Sequence, residues 1–484
     1  MKKLFMRWHN LPAPTKSSLA FMLSSMLITG LNFITTPVFT HLIDQSRYGL
    51  VSIYYSWLSI IDVIALLGLT SAGVFNVGMN EYKESRSKYI SSIIGLCNVI
   101  TLLVFGVIFV IKHFVGEDFM LPTSLLVLML IHFIFSPANV FWVTREKYEY
   151  RYKASALITV LSSLGSLGIS ILFVALFKSS DKISEIRLWS AEIVMLLFYI
   201  PIYLYLIFKG KNYINLTVWK QTLLFALPLL PHYLAQHVMA SADTIMIERL
   251  VSDADAAIYS VVAMIGKVAT IVWAAINVSL IAITFEAMNE KKYEKLRGLT
   301  LTLVLMYGAV CIAITLAAPE LLKIFAPENY AKGVYIVPPI AAVSFLSALY
   351  NIYGNVEFYH KKSFGIALAT VVSALANIAL NLILIPKFSY IGAAYTTLIS
   401  NIILIVMHYI GYRRASADRI YNDRALFIVA AVITAITVAA TALYVNTAVR
   451  YVIIGIIVLA AAVKHRAIIE KIKALYSKGE QTDI

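Results

Sequence analysis

Fourteen apolar stretches of about 20 residues, separated by short charged breaks, leave this 484-residue chain one kind of solution. A stretch of that length crosses a ~30 Å hydrocarbon layer as a helix, which satisfies its own backbone polar groups as lipid demands. The approximate limits are 17–42, 50–79, 89–111, 121–143, 154–177, 187–208, 221–248, 256–285, 298–318, 334–356, 364–385, 391–412, 425–445 and 450–463. The last is short, but apolar residues resume over 467–475, so it lies obliquely or reaches the interface. Composition agrees: 60% of residues are hydrophobic and 14% charged, against roughly 45–50% and 25% in soluble domains. A cytosolic enzyme and a secreted disulfide scaffold are excluded. Cys97 and Cys311 both lie inside apolar stretches and read as packing residues. Residues 1–14 are basic but lack a signal-peptide core and cleavage site, so the first stretch is expected to remain as a span.

Loop charge orients the spans. With the N-terminus inside, the inner segments carry 29 Lys and Arg and the outer loops 10, with Lys267 alone within a span. Asp62, Glu192 and Asp243 are the acidic residues within spans, and net charge is +16 on the inner face, zero outside and −2 in the membrane. The formal +14 is therefore a topology signal rather than a nucleic-acid patch, and both termini are expected to be cytoplasmic. Inner-loop cations such as Lys83, Arg86, Arg145 and Lys361 could gather anionic headgroups, but orientation alone accounts for them. No loop exceeds about 16 residues and no G-x-x-x-x-G-K phosphate loop occurs. Energy for transport would then come from an ion gradient, the membrane potential or the cargo's own gradient.

An internal repeat is visible at an offset of 208: residues 42–52 close the first span and open the second, as residues 250–260 do for spans seven and eight. Six spans per repeat relate two lobes by an axis along the membrane normal. The expected fold is all-α and membrane-integral. It has about fourteen transmembrane helices in two pseudo-symmetric six-helix lobes, 1–210 and 211–415, around a central cavity. Residues 416–484 append a helix pair and tail.

Three motifs carry a family resemblance. They are Arg47-Tyr48-Gly49; Asp243-Thr244-Ile245-Met246-Ile247 followed by Ala256-Ala257-Ile258-Tyr259-Ser260; and Asn377 and Asn381 leading to Pro386 and then Gly392-Ala393-Ala394-Tyr395-Thr396-Thr397. Over residues 15–412 the chain resembles the polysaccharide transport family, the O-antigen-type lipid-linked oligosaccharide flippases of the multidrug/oligosaccharidyl-lipid/polysaccharide export superfamily. The resemblance implies a V-shaped, two-lobed alternating-access transporter in the bacterial inner membrane. Its implied cargo is an undecaprenyl-diphosphate-linked oligosaccharide moved to the outer leaflet, with no cofactor. A glycan polymerase and glycosyltransferases are the partner enzymes such a transporter would serve, and whether they dock on it is left open.

A charge near the bilayer centre costs roughly 2.5–3.5 kcal/mol on insertion scales, so each needs a reason. Asp62 lies about 18 Å into the second span and Lys267 at similar depth in the eighth, at ~1.5 Å per residue. The repeat sets them on related helices, so both could face the cavity from opposite lobes at one level. Lys267 would then oppose the diphosphate, with Asp62 as switchable partner or carrier of the coupling ion, proton or sodium. The alternative is a permanent buried pair. Asp243 is a candidate outer-gate contact to Arg47 or Arg249. His132, His232, His237 and His408 admit a proton-relay reading but read more simply as packing residues, and they show no metal spacing. Pro228 and Pro231 mark a hinge or a fixed kink in span seven. Two other functions stay open: an ion-coupled drug or metabolite antiporter of the same superfamily, and a membrane glycan polymerase, which the short outer loops disfavour.

Overall fold

The computed structural model describes residues 13–69, 74–117 and 119–476, and among them there is no strand. Seventeen α-helices follow one another among the described residues. The first nine are α1 (Ala13–Leu42), α2 (Gln45–Ala65), α3 (Val74–Glu81), α4 (Arg86–Val115), α5 (Thr123–Tyr148), α6 (Tyr152–Leu176), α7 (Ile183–Gly210), α8 (Leu216–Ala226) and α9 (Leu230–Leu250). The rest are α10 (Asp253–Lys267), α11 (Ala269–Glu290), α12 (Tyr293–Leu316), α13 (Ala318–Phe325), α14 (Val337–Tyr359), α15 (Ser363–Ala415), α16 (Asp423–Ala439) and α17 (Thr447–Tyr476).

Among the described residues ten helices are long and apolar enough to cross a membrane, or eleven if the bent pair α8 and α9 is one span. The 53-residue α15 breaks at Ser389 (φ 51°, ψ −141°). At ~1.5 Å per residue its length of about 80 Å suits two spans rather than one. The all-α, multi-pass membrane fold is borne out. The second span corrects the sequence reading: α2 stops at Ala65, Leu67 and Gly68 take left-handed φ of 53° and 58°, and a new helix starts at Val74. In the eighth the ladder only tightens, with the amides of Val268 and Ile271 bonding three residues back at 3.2 Å.

The chain divides into two compact units, Met1–Glu248 with Ser252–Ala257, and Arg249–Val251 with Ile258–Ile484. In lipid, helices associate through close packing and polar contacts rather than through water exclusion. The first unit does this with serines. Ser162, Ser166 and Ser170 recur at four-residue spacing along α6, and the latter two donate to the Ala191 and Arg187 carbonyls of α7 at 3.0 Å. Two apolar clusters result, one around Val51, Ile61, Leu125 and Phe133, the other around Leu66, Phe75, Ile93 and Phe141. The second unit has one large cluster, in which α14 is buried on nearly every face among α11, α12, α15 and α16.

The repeat is visible in the helix starts. Asp44 caps α2 by accepting the Arg47 amide at 3.0 Å, and Ser252, 208 positions on, takes the Asp255 amide at 3.1 Å ahead of α10. Both remove one orphan N–H of a helix N-terminus. The two starts touch: a Cβ at Gly49 would fall on the Asp253 carbonyl, so only glycine allows the approach.

Candidate functional site

Span two places the site. Ser59 and Asp62, three residues apart, share a face of α2 just before it ends. Asp62 is half-buried and lies within electrostatic reach of His132 on α5 and His237 on α9. His237 meets Ser59, Nδ1 to Oγ 2.9 Å. His132 meets Glu192 on α7, Nδ1 to Oε1 2.9 Å, with side chains 17% and 12% exposed. Tyr54 and Tyr199 lie within electrostatic reach of Glu192, and Cys97 within reach of Asp62. Helices α2, α5, α7 and α9 thus bring two carboxylates and two imidazoles together inside the first unit.

The break after α2 bears on this group. Gly68 sits against the Tyr233 ring of α9, where an added Cβ would lie 3.0 Å from Cδ2. The turn that ends the Asp62 helix is therefore packed on the helix that carries His237. On the other side α8 and α9 meet at 62°, at the segment holding Pro228, whose ring cannot continue a straight hydrogen-bond ladder.

Chemically, a carboxylate–imidazole pair can hold one proton on either partner, and imidazole titrates near neutral pH. Placed with a second carboxylate and a second imidazole, such a pair can take up and release a proton without leaving a lone charge in hydrocarbon. Among the described residues no three His, Cys, Asp or Glu are placed to hold a metal ion.

Of the residues singled out from sequence, Asp62 lies in this group. Lys267 belongs to the second unit, as the exposed last residue of α10, and its carbonyl accepts the Thr270 hydroxyl at 2.6 Å. Asp243 is buried in α9 and Arg249 exposed in its last turn. Arg47 is held at 2.8 Å by Asp181 and 3.1 Å by Asp44, and also donates to the Ser180 carbonyl, tying the start of α2 to the segment before α7.

Sequence reasoning missed three features. His132 and Glu192 were each noted but are 60 positions apart, and nothing local signals their pairing. Glu357, read as an inner-loop residue, is 1% exposed inside α14 and paired with His408 of α15 at 2.5 Å. Arg187, counted as a loop cation, is buried at the start of α7, its guanidinium 4.1 Å from the Phe39 ring centre and 5.3 Å from that of Tyr48.

Comparison with known proteins agrees with this architecture. The structure resembles the lipid II flippase MurJ in an inward closed conformation, 12% identical over 93% of this chain and 100% of that one, TM-score 0.64. It also resembles a multidrug resistance MATE family transporter of the MOP superfamily, inward-facing, 14% identical over 83% of this chain and 98% of that one, TM-score 0.58. A multidrug resistance MATE family transporter of the MOP superfamily in an outward-facing conformation gives a TM-score of 0.54 at 14% identity, over 84% of this chain and 96% of that one. These likenesses establish the fold. None of the curated proteins matches the sequence. The family described as polysaccharide biosynthesis protein matches residues 15–288, more than half of the chain. The match spans Asp62, His132, Glu192 and His237, bears out the resemblance drawn from the motifs, and settles the family: the chain belongs to the polysaccharide biosynthesis proteins.

Proposed function

We propose that the protein turns an undecaprenyl-diphosphate-linked oligosaccharide, an O-antigen or related surface repeat unit, from the inner to the outer leaflet of the bacterial inner membrane. The movement is driven by a proton taken up at the Asp62, His132, Glu192 and His237 group. The observation that carries this reading is that group itself, beside a broken span in a chain of a polysaccharide biosynthesis family. Interrupted membrane helices and buried ionisable side chains are where transporters place coupling sites. The similarity of fold to a lipid II flippase supports a lipid-linked cargo.

In this reading residues 1–210 and 211–415 are the alternating lobes, 416–484 the appended pair, and both termini are cytoplasmic. Lys267 supplies the counter-charge for the diphosphate, and Asp243, Arg47 and Arg249 serve the outer gate. The protein changes the leaflet of its cargo and makes no bond, and the enzymes that build and polymerise the glycan work before and after it. The similarity of fold to multidrug transporters supports the second reading, a cation-coupled exporter of small molecules, which carboxylates in spans two and seven also suit.

A leaflet assay in cells lacking the protein separates the two. Lipid-linked units are extracted and tested for access by an outer-side glycosidase. The flippase reading predicts single units trapped inside, released by wild type and not by Lys267→Ala. Normal surface glycan with altered drug sensitivity would instead establish the exporter.

A further inference from the structure

We infer that the second unit binds the doubly charged phosphoryl headgroup of a lipid at the basic end of α12, α15 and α16. A cavity of ≈ 560 Å³ there is lined by Arg297, Arg413, Arg419 and Arg424, with Asp423 as the single acid among its lining residues. Four guanidinium groups against one carboxylate leave three positive charges for a ligand. Two of them are positioned by carbonyls: Arg297 Nη2 donates to the Arg419 carbonyl, and Arg413 Nη1 to that of Asp418 at 3.3 Å. The Asp418 carboxylate is engaged elsewhere, accepting the Tyr293 hydroxyl at 2.8 Å.

Arg419 and Arg424 stand exposed and Arg297 and Arg413 half-buried along this lining. Guanidinium forks match phosphoryl oxygens two at a time, and the surplus of three charges suits a dianion better than a monoanion. The volume is that of a small-molecule site, several times what a bare phosphate fills.

Lipid is favoured as the source because of where the cavity lies. The second arm of α15 ends at Ala415 and α16 begins at Asp423, and both helices are apolar enough to cross a membrane, so the arginines stand at headgroup depth. One wall carries aromatic rings, with Tyr409 and Phe427 packed edge to face at 4.9 Å, a surface suited to the first carbons of a lipid's acyl chains. The inference needs only that these helices meet a membrane surface and stands apart from the flippase reading.

Thermal unfolding of the full-length protein in detergent tests it, with dioleoyl phosphatidic acid, dioleoyl phosphatidylcholine and sodium pyrophosphate as probes. Phosphatidic acid should raise the unfolding midpoint while phosphatidylcholine does not. Arg297→Gln and Arg413→Gln should each weaken the apparent affinity about fivefold, the worth of one cation at a lipid surface. Arg419→Gln and Arg424→Gln, both at exposed positions, test the same point where the half-buried pair unfolds the protein. Lys295→Gln removes an equal charge outside the cavity and should leave the shift intact. A shift given by pyrophosphate alone would assign the same phosphoryl chemistry to a soluble ligand. Equal shifts with both lipids and no shift with pyrophosphate, or an undiminished shift in all four arginine variants, would overturn the site.

Discussion

Each unit holds a His–Glu pair between two of its helices, but in opposite surroundings. In the first, His132 on α5 meets Glu192 on α7 at 2.9 Å with both side chains partly exposed, and Asp62 and His237 lie around it. In the second, Glu357 on α14 meets His408 on α15 at 2.5 Å with side chains 1% and 3% exposed. Gly411 on α15 backs directly onto the Glu357 carboxylate, and Tyr350 stacks on the His408 ring at 5.6 Å. In the first pair the imidazole is on the earlier helix and the carboxylate on the later; in the second the order is exchanged. The same two groups can therefore serve as a clamp or as a proton site. The company of a second acid and base decides which.

The largest effect expected from this contrast is on stability. Removing the carboxylate of this sealed pair leaves the buried His408 imidazole without its partner, so Glu357→Gln should cost up to about 3 kcal/mol in thermal unfolding. Glu192→Gln, in the partly exposed group, should cost about 1–2 kcal/mol, because a neighbouring acid and base remain. Equal losses would break the comparison.

Packing sharpens it next. Gly411→Ala forces a methyl group against Glu357 and should destabilise by about 1–3 kcal/mol, as overpacked cores do. Gly49→Ala, against the Asp253 carbonyl, should cost at least as much and is judged by the yield of folded protein.

Transport separates the two pairs by function. Asp62→Asn should lower it at least about tenfold and flatten its pH profile, one proton of lost coupling being worth ~1.4 kcal/mol per pH unit. His408→Gln should reduce the amount of folded protein but leave the shape of the profile unchanged. A flattened profile in His408→Gln would place coupling in the second unit instead.

The smallest effect comes from an ion pair away from both groups. Arg450 grips Glu320 with two contacts, 2.6 and 2.7 Å, and the Leu316 carbonyl at 2.7 Å, tying α17 to the end of α12. Hydrogen bonding to Arg450 holds the Glu320 carboxyl below the usual glutamate range. A lowered folded-state pKa stabilises above the ordinary value near ~4.3 and is lost as pH falls through the folded one. Glu320→Gln should therefore cost about 1 kcal/mol at pH 7, discounted for partial exposure, and show less further loss on acidification than wild type.

Much of the fold was legible because lipid leaves so few options: a run of about 20 apolar residues separated by charge has to be a helix. The repeat offset of 208 reappears in the caps at Asp44 and Ser252 because capping needs a short polar acceptor at a fixed place. The interruption after Ala65 was not legible. Leu66, Leu67 and Gly68 are apolar and continue the hydrophobic run, and the break is held by packing on Tyr233, a contact far away in sequence.

The site was half legible. Asp62 declares itself by the cost of a mid-membrane carboxylate. Its companions do not, since His132, Glu192 and His237 come from three other helices and no local spacing joins them. Glu357 was misread for a related reason: it sits at the edge of an apolar run, where a solvated loop and a sealed helix end look alike in sequence.

The central claim is that the first unit's acid–imidazole group couples a proton to movement of the lipid-linked glycan. The direct measurement is translocation of an undecaprenyl-diphosphate-linked oligosaccharide in proteoliposomes, with and without an imposed pH gradient, for wild type and Asp62→Asn. The account predicts that the gradient speeds wild-type translocation and that Asp62→Asn loses this response. Wild-type rates that ignore the gradient, or a response kept in full by Asp62→Asn, would contradict it.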